Sequence, residues 1–261
     1  MTPSPASADL ADELACSWTA RPEGRHRLIP DGCIDVLWLD TGELWVCGPE
    51  SAAWDFELPP GRRAVGVRFR PGVAGRLLRV DVDGLRDRRV RLEDLLGSRV
   101  ERVARERIGE ADDTGAHDAE DAIVASARSW IDAAPPADAL VSGLVAELTD
   151  PRPRSVGDVG DRLGLSTRQL RRRSDRTLGY GPAVFVRLIR FQRFLRALPR
   201  ARTVAAAAAT AGYADHSHLV RACRSIAGTT PTELLGWYEQ TFPGVADPYK
   251  TDGHAAATIG R

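Results

Sequence analysis

Between residues 26 and about 70 the apolar positions alternate. Ile34, Val36 and Trp38 fall on one side and Asp35, Leu37 and Leu39 on the other, which is the two-residue repeat of a pleated strand. Leu44-Trp45-Val46 and Val65-Gly66-Val67-Arg68-Phe69 repeat the signal after the turn residues Asp40-Thr41-Gly42, Gly48-Pro49 and Pro59-Pro60-Gly61. The pattern predicts a small, mostly antiparallel sheet or barrel. Past Pro71, which suits a first helical turn, the period changes. Val73, Leu77 and Leu78 predict a short helix, and Leu92, Leu95, Leu96, Val100 and Val103 a longer helical segment from about 92. The polar stretch 109–115 predicts a loop. Helices are expected over about 118–133, with Ile123, Ala127, Trp130 and Ile131, and over 137–148, with Leu140, Val141, Leu144, Val145 and Leu148.

Asp150-Pro151-Arg152-Pro153-Arg154 breaks this pattern, and the charge reverses at the same point. Residues 1–151 carry 18 basic and 28 acidic side chains, a balance of −10, whereas residues 152–240 carry 16 and 6, a balance of +10. The zero net charge of the chain hides that division. It predicts a β-rich amino-terminal domain over 1–151, an all-helical domain over 152–240 and a disordered tail over 241–261, an α+β chain overall. A basic module of this size points to a nucleic-acid partner.

Within the basic half one layout occurs twice. Ser155 to Leu163, then Gly164-Leu165-Ser166, then Thr167-Arg168-Gln169-Leu170-Arg171-Arg172-Arg173 is a capped helix, a tight turn opened by glycine, and a second helix rich in DNA-reading side chains. Thr203 to Ala211, Gly212-Tyr213-Ala214-Asp215 and His216-Ser217-His218-Leu219-Val220-Arg221 repeat it. Each is a helix-turn-helix. Gly164 and Gly212 suit the positive φ that ends a first helix sharply. Between the units, Gly181-Pro182 opens a helix to about Leu198 with Phe185, Leu188, Ile189, Phe191, Phe194 and Leu195 on its inner side. At about 1.5 Å per residue it is a strut of roughly 25 Å. It would hold two recognition helices near one DNA turn apart, about 34 Å.

The stretch Leu165-Ser166, Arg168, Leu170, Arg172, Gly179, Pro182, Arg190, Ala205, Gly212-Tyr213, Asp215, Ser217-His218-Leu219, Arg221, Gly228, Thr230-Pro231 resembles the DNA-binding domain of AraC/XylS-family bacterial transcriptional regulators. Ser174 and Cys223 depart from it, standing where that family usually has Phe. The segments Ile29 to Asp35 and Gly66 to Gly72 resemble an uncharacterised β-rich amino-terminal domain found in actinobacterial members. The resemblance implies a cytoplasmic, non-enzymatic transcription factor that reads two successive major grooves of double-stranded promoter or operator DNA. Arg168, Arg171, Arg172, His216, Ser217 and Arg221 are its expected DNA contacts, Arg190 an internal ion pair to Asp215 or another carboxylate, and His218 scaffold. RNA polymerase, a homodimer partner and a small-molecule effector of unassigned identity complete the expected partners.

Other chemistry is sparse. The first twenty residues hold no Lys or Arg, and the longest apolar run is Val204 to Ala209, so neither an export signal nor a membrane span is expected. Cys16, Cys33, Cys47 and Cys223 lack metal-ligand spacing, and no cofactor, metal or catalytic constellation is expected. Trp38, Trp45 and Trp54 suit a sheet core better than a pocket, and with Cys33 they are the effector-site candidates. A reactive Cys33, with a repair or redox-sensing activity in the front half, is the alternative function.

Overall fold

The computed structural model describes residues 1–21, 25–57, 59–152 and 154–241. The tail expected from 241 lies, past that residue, outside the described residues. Eight strands come first: β1 (Thr2–Pro5), β2 (Leu14–Ala20), β3 (Arg25–Leu28), β4 (Ile34–Leu39), β5 (Leu44–Cys47), β6 (Trp54–Glu57), β7 (Ala64–Phe69) and β8 (Arg89–Arg91). Six form an antiparallel sheet in the order β1-β2-β7-β4-β5-β8, and β3 pairs with β6 in a separate ribbon. The sheet is open, with β1 and β8 as its edges, so the barrel option is not taken. β1 and β2 carry little alternating signal. β1 holds two prolines, and β2, Leu-Ala-Cys-Ser-Trp-Thr-Ala, is buried on both faces along most of its length.

The alternation of β4 does what it predicts. Ile34, Val36 and Trp38 face inward with Val46, Val65, Val67 and Phe69, and this face is covered by α3 (Ser98–Asp112) and α4 (Ala116–Asp132) through Ala104, Ile108, Ile123 and Ala127. Each such fully buried aliphatic side chain contributes about 1.5–3 kcal/mol. The loop expected at 109–115 is shorter than predicted. Ile108 continues the buried stripe of Ala104, and the Asp112 carboxylate pairs with Arg63, so the helix persists through Asp112. α1 (Ala74–Leu78) and α2 (Leu92–Leu96) close the same core. On the opposite face Arg68 binds Asp31 at 2.9 Å and Asp35 at 2.8 Å, beside Cys16 and Trp18.

The second core is helical: α5 (Ala139–Leu148), α6 (Val156–Arg162), α7 (Thr167–Leu178), α8 (Pro182–Ala197), α9 (Val204–Thr210), α10 (His216–Ala222) and α11 (Pro231–Thr241). α8 is its axis, with Phe185, Leu188, Phe191 and Phe194 all at 0% exposure. Leu144 and Leu148 of α5 belong to this core although they precede the charge reversal.

The two cores are sewn together. The Tyr180 hydroxyl donates to the Glu50 carbonyl at 2.6 Å, the Gln192 amide to the Pro30 carbonyl at 2.7 Å, and the Ala53 N–H to the Ile226 carbonyl at 2.6 Å. Backbone meets side chain closely at this seam: a Cβ on Gly32 would lie 2.9 Å from Phe185, and one on Gly179 2.5 Å from Pro49. Both glycines have φ near +80°, so a larger residue would meet strain as well as a clash. Among the described residues no helix is long and apolar enough to cross a membrane.

Candidate nucleic-acid interface

α6 and α7 form the first unit. Ser155 and Asp158 make a reciprocal capping box on α6, and Ser166 and Gln169 make another on α7. Gly164 takes φ +64 between them, and Gly212 takes φ +82 in the second unit. Gly160 allows the turn to fold back, since a Cβ there would lie 2.7 Å from the Leu165 carbonyl oxygen. Leu170 and Leu178 are buried, which turns Arg168, Arg171 and Arg172 outward, all three exposed. Arg171 approaches Asp175 at 3.8 Å along the helix, and an exposed pair of this kind leaves a guanidinium largely available.

The far flank of α7 is engaged with the front half. Arg173 pairs with Asp138 at 2.9 Å, and Arg176 pairs with Asp81 at 2.9 Å. Sequence reasoning missed both, because the partners stand 35 and 95 residues away and no local pattern marks them.

α9 and α10 form the second unit. Thr203 caps α9, and Asp215 caps α10 by accepting from the His218 N–H at 2.7 Å. Leu219 is buried, and His216, Ser217 and Arg221 are exposed. His218 packs edge-on against Tyr213 with ring centroids 5.0 Å apart. The expected Arg190–Asp215 pair is absent: Asp215 caps its own helix, and the Arg190 guanidinium lies 6.0 Å over the Tyr213 ring, with no carboxylate in ion-pair range among the described residues. Ser174 and Cys223 are both fully buried, and the Ser174 hydroxyl donates to the Tyr180 carbonyl at 2.7 Å. The six expected DNA contacts are therefore all exposed at the two second helices.

The four effector-site candidates are not brought together. Trp38 is in the first core. Trp45 and Trp54 lie under the guanidinium groups of Arg91 and Arg89, at 5.2 Å and 3.5 Å. Cys33 lines a cleft between the two halves. Burial and the neighbouring Asp31 push its thiol well above the usual range despite Arg68, and burial raises Cys16 to about 11 and Cys47 to about 12. None is a ready thiolate.

Two capped helix pairs on a common strut, each showing an exposed second helix, define a double helix-turn-helix module behind an antiparallel sheet. A family model described as a helix-turn-helix domain matches residues 159–236, and one described as a domain of unknown function (DUF6597) matches residues 3–91. The chain joins a helix-turn-helix domain of the AraC type to that amino-terminal domain. The helix-turn-helix domain implies a DNA-binding transcriptional regulator, and proteins that carry it are typically non-enzymatic. No curated protein and no solved structure matches the chain.

Proposed function

We propose that this protein is a sequence-specific, cytoplasmic transcription factor that places α7 and α10 in two successive major grooves on one face of promoter DNA. The observation that supports it best is the exposed Arg168, Arg171 and Arg172 face of α7, raised on a capped helix-turn-helix in a region of +10 charge. Arginine paired in a bidentate way with guanine is the commonest specific base contact. On this reading α7 does the stringent base reading, and His216, Ser217 and Arg221 read the second groove with more adaptable single hydrogen bonds. The 16 residues of α8 span about 24 Å, a fitting strut for that spacing.

The front half, taken over 1–151, is a sensing or dimerising module, with RNA polymerase as a further partner of the bound complex. Of the four effector-site candidates, Cys33 is carried forward because it stands at a cleft wall. A repair or redox role for it ranks below the regulatory reading, since a thiolate there would form among Asp31 and Asp35. Selection of binding sites from a randomised duplex library, followed by footprinting, tests the proposal. Two conserved half-sites about one helical turn apart are expected, with Arg172→Ala relaxing one or two base positions. Binding without sequence preference would sink it.

A further inference from the structure

A cleft of about 1240 Å³ runs between the sheet domain and helices α5, α7 and α8. It is large enough for a small organic molecule, since such sites span about 300–1,000 Å³. Its walls mix apolar and cationic groups. Val141 and Val145 on α5 and Ile189 on α8 supply an apolar strip, and Arg193 and Arg196 follow Ile189 along α8 by four and seven residues, on one face of that helix. The Arg193 guanidinium donates to the Thr149 carbonyl at 2.6 Å, which ties the apolar and cationic parts to one wall.

The charges of the cleft do not cancel. Seven guanidinium groups and five carboxylates line it: Arg76, Arg173 and Arg176 are paired with Glu13, Asp138 and Asp81, Asp31 is taken by Arg68, and Arg70, which donates to the Ala11 carbonyl, and Asp12 lie with them on the sheet-domain side. Arg193 and Arg196 have no carboxylate in ion-pair range among the described residues, nor has Arg172 across the cleft. Arg193 is half-buried, and burial together with the neighbouring Arg196 and Arg190 pulls it below the ordinary guanidinium value, against the opposing field of Asp150. A half-buried cation satisfied only by a carbonyl, next to a second unpaired cation, is a place where an anion would gain charge-assisted hydrogen bonds.

We propose that this cleft binds a small organic anion, its carboxylate or phosphate group held by Arg193 and Arg196 and its apolar body lying along Val141, Val145 and Ile189. Such a ligand bridges α5, α8 and, through Arg172, the flank of α7. The site goes beyond the DNA-binding reading and stands without it, because its test needs no DNA.

The test is heat stability and calorimetry on the full chain with benzoate, octanoate and inorganic phosphate, at fixed ionic strength against chloride. Benzoate or octanoate is expected to give a saturable isotherm by calorimetry and to raise Tm by about 3 °C at a tenfold excess over its Kd, the rise growing with the logarithm of concentration beyond that. Arg196→Glu, an exposed position with no partner to lose, is expected to leave the unliganded Tm in place and weaken the organic anion about tenfold or more. Arg193→Gln is expected to act in the same direction. No saturable isotherm and no rise in Tm with either organic anion, equal stabilisation by inorganic phosphate, or undiminished binding to Arg196→Glu would overturn the proposal.

Discussion

α7 and α10 occupy matching places in two copies of one motif, yet they differ in charge and in attachment. α7 has twelve residues, five of them arginines, and two of those are tied to carboxylates of the front half. α10 has seven residues with one arginine, runs on into a π-helical turn over Cys223–Ala227, and makes no ion pair among the described residues. The front half therefore holds the first unit by ion pairs, and meets the second without them, through the Ala53 N–H on the Ile226 carbonyl, the Arg27 guanidinium on the Ala227 carbonyl and the packing of Ile29 and Ala53. Duplication of a motif has not duplicated its wiring.

The largest effect expected from this asymmetry is on DNA. Replacing Arg168, Arg171 and Arg172 together by Ala should weaken operator binding by at least about 100-fold, since each bidentate contact is worth about 1–3 kcal/mol. Arg221→Ala should cost about tenfold or less. Titrations across a salt series check both, and a greater loss from Arg221→Ala would reverse the ranking of the two helices. Next comes packing. Leu144 of α5 is fully buried beside α6, α7 and α8, so Leu144→Ala should cost about 2–5 kcal/mol. Hydrogen exchange should then show the α7 amides losing protection more than those of α10; uniform loss would mean that the two units open as one.

A smaller effect concerns pH. Burial, helped by Asp87, pushes Glu50 up to about 7 despite the Arg89 guanidinium, and its carbonyl holds Tyr180 just after α7. A raised carboxyl favours the folded state while it is protonated, so this contribution is complete below about pH 4.5 and is lost as pH rises through about 7. Melting curves between pH 4.5 and 8 should show the decline, flattened in Glu50→Gln; an unchanged slope in that variant would assign the decline elsewhere. The smallest effect belongs to the two tethers, which are half exposed and worth at most about 1 kcal/mol each. Asp81→Ala with Asp138→Ala should tighten DNA binding about two- to fivefold at low salt, a gap that closes as salt screens it. Looser binding would make these carboxylates supports of α7 rather than competitors for it.

What could be read in advance follows the range of the forces involved. Capping boxes, turn glycines and the buried stripe of α8 act within a few residues, so both helix-turn-helix units were legible from Ser155, Gly164, Ser166, Gly212 and Asp215. β4 was legible because one face is fully buried and the other only half-buried. β2 was not, since burial on both faces erases the alternation on which the reading depends. The Arg190 expectation failed for a local reason: a carboxylate one residue before a helix satisfies that helix's own N–H groups first. Ser174 stands where Phe is usual, and only the fold reveals that the Tyr180 carbonyl gives its hydroxyl a partner. The tethers, the seam and the cleft join residues tens to more than a hundred positions apart, and nothing periodic announces them.

The outer edge of the sheet carries a consequence for assembly. β1 reads Thr-Pro-Ser-Pro, and a proline nitrogen bears no hydrogen to lend to a neighbouring chain. Half of that strand's donors are missing, so an incoming strand would find a broken ladder there. Growth of the sheet from one molecule into the next is thus discouraged at β1, and a symmetric pair of these proteins meeting at that edge would have to join through side-chain surfaces, by shape and charge, rather than by continuing the weave of the backbone.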